Sequence, residues 1–131
     1  LSLSLGGSGS CLFTTQAAIN TATGLGAVVI VAAGNSNKNA STSSPANCNG
    51  VMTVAATNKS GRRSWYSNYG TMVEIAAPGG SGGPDLNGIQ YDGGVLSTIN
   101  NGATTPDPNA YIYSGYSGTS MATPHVVAWH R

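Results

Sequence analysis

Short apolar runs alternate with polar, glycine-rich segments along the chain, and their spacing predicts strands and helices in turn. Residues 1–5 alternate leucine with serine and stop at Gly6, which predicts a strand that runs into a turn. Residues 14–23 set alanine and isoleucine among polar residues before Gly24, a typical helix stop. Residues 27–33 form an unbroken apolar run, as expected of a strand buried on both faces of a parallel sheet. Strand, helix and strand in this order form a βαβ unit, so the pattern predicts an α/β fold.

The pattern predicts further strands and a closing helix downstream. Strands are expected at residues 51–56, 72–76, 95–99 and, as an edge or hairpin strand, 111–116. Residues 79–94 are dense in glycine, proline, asparagine and aspartate and are predicted to form a surface loop. A buried helix is expected from Ser120 onward, with Pro124 tolerated in its first turn. Because a strand pattern begins at the first residue, we expect further sequence upstream of Leu1.

Charged residues are scarce, at 7% of the chain against about 25% in an average domain. Glycine, serine, threonine and asparagine supply the polarity instead, which suits an extracellular enzyme. The apolar runs favour a folded domain over disorder, and none approaches the roughly 20 residues that cross a bilayer. The net charge is +1 and no basic cluster is present. Neither nucleic acid nor a membrane is therefore expected as a partner.

The two cysteines, Cys11 and Cys48, allow two interpretations. In a secreted protein they would form one disulfide across a helix and a strand. Otherwise they are two unrelated buried thiols. The cysteine count leaves both interpretations open, and we favour the disulfide.

Three short segments carry candidate chemistry. Residues 118–125 read GTSMATPH and place Ser120 at the start of an apolar helix, whose N-terminus stabilises developing negative charge. Residues 31–37 read VAAGNSN and place Asn35 at the sheet edge where α/β folds bind ligands. Residues 4–7 read SLGG and have the pattern of a strand ending in a turn. By physics alone, a serine helix cap and an asparagine turn are the commoner explanations.

Together these segments resemble those of the subtilisin-like serine proteases of secreted bacterial type. GTSMATPH is similar to the family's nucleophile motif, AAGNS to its oxyanion segment, and SLGG to a strand that lines its substrate cleft. Residues 44–46 are similar to a pocket-bottom turn, often with a cis peptide before proline. The resemblance implies a three-layer α/β fold with a mainly parallel sheet, incomplete on its N-terminal side. Residues 1–131 would then form one partial peptidase domain.

The resemblance also implies roles for individual residues. Ser120 would be the nucleophile that forms an acyl-enzyme, and Asn35 would donate its side-chain amide to the oxyanion beside the Ser120 backbone N–H. Substrate contacts are implied for Ser4, Leu5, Gly6, Ala32, Ala33, Gly34, Gly118 and Thr119. Ala32, Ala33 and Gly34 would form a pocket wall whose small residues leave room for a large apolar side chain. Cys11 and Cys48 correspond to a cysteine pair of the family.

No cofactor is implied for the chemistry. Calcium commonly stabilises loops in this family, and oxygen ligands could gather near three loop aspartates: Asp85, Asp92 and Asp107. Scattered loop aspartates are more often merely solvated, so we assign no metal-binding residues.

The family's catalytic triad runs Asp, His, Ser along the chain, and this sequence departs from that order. All three loop aspartates follow Asn35, and both histidines follow Ser120. His125 is turned roughly 140° away from Ser120 along a helix, and His130 lies further on, so neither is expected to act as the base. The triad Asp and His are therefore expected upstream of Leu1. This chain alone is expected to be inactive, with the missing part of the domain as its partner.

The leading hypothesis is a secreted serine endopeptidase that acts on protein or peptide substrates. A non-catalytic peptide-binding or inactive relative is the alternative, because backbone pairing in the cleft needs no triad. A serine esterase of the α/β-hydrolase type is disfavoured, because Ser120 lacks the Gly-x-Ser-x-Gly context.

Overall fold

The computed structural model of the chain describes residues 1–81 and 93–129. In chain order these residues form strands β1 (Ser2–Leu3) and β2 (Gly7–Ser8), helix α1 (Phe13–Gly24), strands β3 (Val29–Ala32), β4 (Ser43–Ser44), β5 (Val51–Thr57), β6 (Ile75–Pro78), β7 (Val95–Asn100) and β8 (Tyr111–Tyr116), and helix α2 (Thr119–Trp129). A 3-10 turn at Ala40–Thr42 precedes β4. No helix of the described ranges has the length and apolar character needed to span a membrane.

The central sheet confirms the predicted α/β class. Strands β1, β3, β5 and β6 lie side by side in that order, and every neighbouring pair is parallel. Side chains of β3 alternate between the two faces of this sheet. Ile30 packs with Val126 of α2, whereas Val29 and Val31 pack with Ile19 of α1. The two helices therefore cover opposite faces of the sheet and give the expected three layers.

Strand boundaries differ most from the prediction at β1 and β6. β1 pairs with β3 only at Ser2 and Leu3, because the chain then leaves the sheet edge toward α2. Leu1 and Leu5, predicted as strand residues, are 63% and 61% exposed. β6 begins at residue 75 instead of 72, because Val73 N donates to the carbonyl of Gly70 and closes a turn first. The hairpin prediction for residues 111–116 is confirmed, since β8 pairs antiparallel with β7.

Two further predictions are confirmed around α1 and β4. Cys11 and Cys48 form a disulfide with their Cα atoms 5.2 Å apart, which links the segment before α1 to the segment before β5. Cys48 is buried in the cluster with Ile19. The peptide bond between Ser44 and Pro45 is cis.

Replacing both cysteines by serine is expected to lower the free energy of unfolding by about 2–4 kcal/mol, because the cross-link restricts the unfolded chain. The cysteines are 37 residues apart in sequence, so the loop released in the unfolded state is long. Urea unfolding of the full-length gene product, parent against the Cys11→Ser and Cys48→Ser double variant, measures the difference. A reductant should destabilise the parent by a similar amount and leave the double variant unchanged. Equal stability of parent and variant would contradict the prediction.

Candidate active site

A cavity of about 370 Å³ opens where the chain leaves the carboxyl ends of β1 and β3, next to the start of α2. Parallel strands of an open α/β sheet present their ligand sites at this edge. The lining residues are Ser4, Leu5, Gly6, Gly7, Ser8, Ala32, Gly34, Asn35, Ser36, Ser43, Ser44, Asn68, Thr119 and Ser120. The cavity therefore brings together segments that are far apart in sequence, and it contains most of the residues predicted for the site.

Ala33 and Gly118 are the two predicted site residues outside this lining. The prediction that Ala33 forms a pocket wall is wrong for its side chain, which is 0% exposed. Its backbone is also engaged, because its N–H donates to Val54 and its carbonyl accepts from the Asn68 amide. Neighbouring residues of extended chain point to opposite sides, so Ala32 can line the cavity while Ala33 faces away from it. Gly118 lies just before α2, beside Ser120.

Ser120 is in the first turn of α2, and reciprocal hydrogen bonds tie it to the segment after β1. The Ser120 hydroxyl donates to the carbonyl of Ser4 at 3.1 Å, and the Ser4 hydroxyl donates to the carbonyl of Ser120 at 2.8 Å. Ser120 lines the cavity, so its hydroxyl can meet a bound ligand. The helix N-terminus at this position favours negative charge in front of it.

Pro124 explains why the carbonyl of Ser120 is free to accept from Ser4. The helix begins at Thr119, so Pro124 is its sixth residue. It therefore lies beyond the first turn, whereas the sequence predicts it within that turn. Proline has no N–H, so it cannot donate to the carbonyl four residues earlier, which belongs to Ser120. The Ser4 hydroxyl satisfies that carbonyl instead.

Asn35 is held by its side-chain oxygen against the start of α2. Its Oδ1 accepts from the backbone N–H of Thr119 at 2.9 Å and from the Thr119 hydroxyl at 2.8 Å. The same hydroxyl accepts from the N–H of Gly34 at 3.2 Å. Two donors on Oδ1 fix which way the amide faces, and Nδ2 makes no hydrogen bond within the described ranges. Asn35 therefore presents an N–H₂ group that has no acceptor among the residues the structure describes.

Two donors meet in the space in front of Gly118. A Cβ placed on Gly118 would lie 3.4 Å from Asn35 Nδ2 and 3.6 Å from the backbone nitrogen of Ser120. Because glycine has no side chain, no Cβ fills this space, which Met121 Sδ also borders at 3.6 Å. None of the backbone bonds found among residues 1–81 and 93–129 uses the Ser120 N–H. An oxygen atom that develops negative charge in this space could accept from both groups, which is the arrangement of an oxyanion hole.

Tyr66 supports the turn that precedes α2. Its hydroxyl lies within donating distance of two carbonyls, those of Gly79 at 2.8 Å and Gly80 at 2.6 Å, and the N–H of Gly118 donates to the Gly79 carbonyl at 2.9 Å. Burial raises the pKa of the Tyr66 phenol, and hydrogen bonding with Ser64 and with the backbone of Gly118 opposes part of that rise. The phenol therefore stays a neutral donor at neutral pH and fixes the chain next to the two donors.

Among residues 1–81 and 93–129, no histidine or carboxylate lines the cavity. His125 hydrogen-bonds through Nδ1 to the carbonyl of Met121 in its own helix, at 2.8 Å, in agreement with its predicted non-catalytic position. Asp107 accepts from the N–H of Asn109 at 2.8 Å, away from the cavity. Asp85, Asp92 and His130 lie outside the described residues. Within residues 1–81 and 93–129, no group of three or more His, Cys, Asp or Glu residues could hold a metal ion.

The sequence did not identify Asn68 as a site residue. It is one of the lining residues of the cavity, although its side chain is 0% exposed. The residues around it match the family weakly, and an asparagine in a polar segment is otherwise typical of a turn. Only the folded structure brings it against the loop that carries Asn35.

Known proteins similar to this chain are proteases. The family model described as "Subtilase family" matches residues 1–129. The chain is 48% identical over 126 residues to the "Extracellular protease" of Xanthomonas campestris pv. campestris and 41% identical over 126 residues to the "Extracellular basic protease" of Dichelobacter nodosus. These matches cover 96% of this chain, and 19% and 18% of the two relatives.

Solved structures give the same result. A protease of Pseudoalteromonas arctica is 52% identical with a TM-score of 0.83, and a cold-adapted subtilisin-like serine proteinase is 35% identical with a TM-score of 0.69. Both matches cover 95% of this chain, and they cover 35% and 37% of the solved chains. The chain thus spans about a fifth of the curated relatives and about a third of the solved ones. With a family model that matches nearly its whole length, the chain belongs to the subtilase family.

Proposed function

We propose that this chain is the part of a secreted serine endopeptidase that carries the nucleophile, the oxyanion hole and much of the substrate cleft. The observation that supports it most is the convergence of Asn35 Nδ2 and the Ser120 N–H on one open space next to the Ser120 side chain. A structural turn and a helix cap do not need two N–H groups that border the same space and have no acceptor among the described residues. Acyl transfer does need them, because its intermediate carries a negative oxygen.

In the proposed reaction, Ser120 Oγ attacks the carbonyl carbon of a substrate peptide bond, and a general base takes the hydroxyl proton. The carbonyl oxygen becomes an oxyanion in the space before Gly118 and accepts from Asn35 Nδ2 and the Ser120 N–H. The C–N bond then breaks, and the leaving amine takes the proton from the protonated base. Water next attacks the acyl-enzyme by the same route and releases Ser120. No step requires a metal ion or an organic cofactor.

The base and the group that orients it are proposed to lie upstream of Leu1, in the family's order Asp, His, Ser. In the structure, the Ser120 hydroxyl donates to the carbonyl of Ser4, which cannot take a proton at neutral pH. Without the base, only a residual acceleration of about 10³–10⁴ over water remains, from oxyanion stabilisation and binding. This chain by itself is therefore proposed to be close to inactive.

The proposed substrate is an extended protein or peptide segment. Residues 4–6 line the cavity but lie between β1 and β2 and outside both, so their backbone can pair with such a segment. Gly6, Ala32 and Gly34 are small, which leaves room for a large apolar side chain in the cavity. The chain carries a disulfide, and the two curated relatives named above are called extracellular, which supports secretion. We assign no calcium site.

A non-catalytic peptide-binding relative is the second candidate, favoured because none of the lining residues in the described part of the chain is a base. The coding sequence upstream of Leu1 distinguishes the two. An Asp motif and a Gly-His-Gly-type motif there would support the protease proposal, and the lack of both would refute it.

A fluorophosphonate probe tests the proposal directly in the full-length gene product. The probe should phosphonylate Ser120 Oγ, because this reagent needs an activated serine next to an oxyanion hole. Peptide mapping by mass spectrometry should find the adduct on Ser120, and Ser120→Ala should abolish it. The matched control is Ser117→Ala, whose hydroxyl donates to the carbonyl of Gly93 outside the cavity and whose loss should leave labelling intact. An unlabelled parent protein, or labelling that persists in Ser120→Ala, would refute the proposal.

A further inference from the structure

We infer that Asn68 is a positioning residue that sets the geometry of the oxyanion hole through the loop carrying Asn35. The inference rests on the proposed function, since it concerns how the same site is held. Asn68 borders the cavity, but its side chain is 0% exposed and the protein itself takes up every hydrogen-bonding position of its amide, so it has none left for a substrate.

The Asn68 amide uses all four of its hydrogen-bonding positions, three of them on residues 33–38 around Asn35 and the fourth on β4. Oδ1 accepts from the backbone N–H groups of Ser36 at 3.0 Å and Lys38 at 3.1 Å. Nδ2 donates to the carbonyl of Ala33 at 2.8 Å and to the Ser43 hydroxyl at 2.9 Å. An asparagine amide can accept two hydrogen bonds and donate two, so the group is saturated. Its burial carries no penalty from an unmet partner.

These bonds hold the chain both before and after Asn35 in the sequence. Ala33 lies two residues before Asn35, and Ser36 is the residue directly after it. The backbone of Asn68 adds a further bond, from its N–H to the carbonyl of Gly34 at 2.9 Å. Rotation or displacement of the loop would therefore break several bonds to one side chain. Asn35 in turn reaches across to Thr119, so the position of its Nδ2 depends on this loop.

Gly34 shows how close the contact is. Its φ is +103°, a value that L side chains rarely adopt. A Cβ added there would lie 2.5 Å from Asn68 Nδ2, closer than side-chain atoms tolerate. Residue 34 thus has to be glycine for the Asn68 amide to approach the backbone, and the two residues form one unit.

Backbone hydrogen bonds also join the residues on either side of Asn68 to the loop that carries Asn35. Asn37 N donates to the carbonyl of Tyr66 at 2.7 Å, and Tyr69 N donates to the carbonyl of Lys38 at 3.0 Å. These bonds continue without the Asn68 side chain, so its removal should loosen the loop beside Asn35 and leave the remainder attached. A misplacement of about 1 Å in a catalytic group can cost on the order of 10²-fold in rate.

The test uses the full-length gene product and a double-mutant cycle. Asn68→Ala is expected to lower kcat by about 10- to 100-fold. KM should change by less than about threefold, because the effect falls on the transition state. In the Asn35→Ala background, the same substitution should have little further effect, because the donor that it misplaces is already gone. Rates are expressed per active site titrated with a fluorophosphonate, so a poorly folded fraction does not count.

Asn100→Ala is the matched control. Asn100 also uses its side-chain amide to tie a loop, accepting from the N–H groups of Gly102 and Asp107 at 2.9 Å and donating to the carbonyl of Asp107 at 2.6 Å. It lies at the end of β7 and does not line the cavity. Its loss should reduce stability without lowering kcat per active site.

The outcomes separate the inference from the function on which it rests. Equal losses in the parent and Asn35→Ala backgrounds would mean that Asn68 is merely structural, and an unchanged kcat would also overturn the inference. If Asn68→Ala does not fold, Asn68→Ser replaces it, because the smaller cavity is better tolerated while the bonds to Ser36 and Lys38 are still lost. A parent protein without Ser120-dependent hydrolysis overturns the proposed function itself.

Discussion

Replacing Ser120 by alanine is expected to reduce the kcat of the full-length gene product by about 10⁶-fold, the scale found for the nucleophile of subtilisin itself, a relative in this family. The proposed mechanism has no second nucleophile, and the hydroxyl of Ser4, which also lines the cavity, is committed to the carbonyl of Ser120. The methyl group of alanine cannot form the acyl-enzyme. The oxyanion donors remain, so a small residual acceleration should persist. Hydrolysis of a chromogenic peptide at saturating concentration measures the loss.

Two control variants make this result specific to Ser120. Ser117→Ala removes a hydroxyl of the same segment that bonds to Gly93, and it should leave kcat unchanged. His125→Gln tests the alternative base, because His125 is held by its own helix through the carbonyl of Met121. It should also leave kcat and its pH profile unchanged. A large loss in His125→Gln, or substantial turnover in Ser120→Ala, would contradict the mechanism.

The layers of the fold could be predicted from the sequence because β3 is apolar along its whole length. A strand that is buried at all four of its residues needs cover on both faces. The chain supplies one helix before β3 and another after β6, and they pack on opposite faces. The residues at which individual strands begin and end were harder to predict from the sequence. The late start of β6 depends on a turn at Gly70, which local composition does not distinguish from strand.

The chemistry of the site could be predicted where it is carried by contiguous residues. Ser120 and Asn35 stand in short recognisable segments, and the structure brings both to one cavity. The Ser4 bond to Ser120 joins residues 116 positions apart, and it depends on a proline that removes a helix donor. Asn68 likewise acts on a loop remote in sequence. Such links follow from tertiary packing and have no local signature.

Ala33 is the opposite case, a residue that the motif assigned to the pocket wall and whose side chain the structure places elsewhere. It belongs to the same contiguous segment as Ala32 and Gly34, and motif similarity assigned all three to one wall. Extended backbone turns alternate side chains to opposite sides, so adjacent residues cannot both face a cavity with their side chains. The structure buries Ala33 completely, and its role is to hold Asn68 through its carbonyl.

Replacing Asn35 by alanine is expected to lower kcat by about 10²–10³-fold, or about 2.7–4 kcal/mol of transition-state stabilisation, a range taken from the corresponding residue of subtilisin. The Ser120 N–H remains as one donor, which is why the loss is smaller than that for Ser120→Ala. KM should change little, because Nδ2 meets negative charge only in the transition state. The folded structure should persist, because Asn35 is exposed and Thr119 retains its bond with Gly34. Steady-state kinetics on a peptide substrate give both constants.

Asn35→Asp separates the donor from the rest of the side chain. The carboxylate keeps Oδ1 for the two Thr119 donors but replaces the N–H₂ with an oxygen that repels the oxyanion. Its kcat should be at least as low as that of Asn35→Ala. Asn37→Gly is the control in the same loop, since glycine tolerates the φ of +50° at that position and the Asn37 side chain bonds only to Arg63 among the described residues. Its kcat should match that of the parent. If Asn35→Ala raised KM and left kcat unchanged, Asn35 would bind substrate in the ground state and would not be an oxyanion donor.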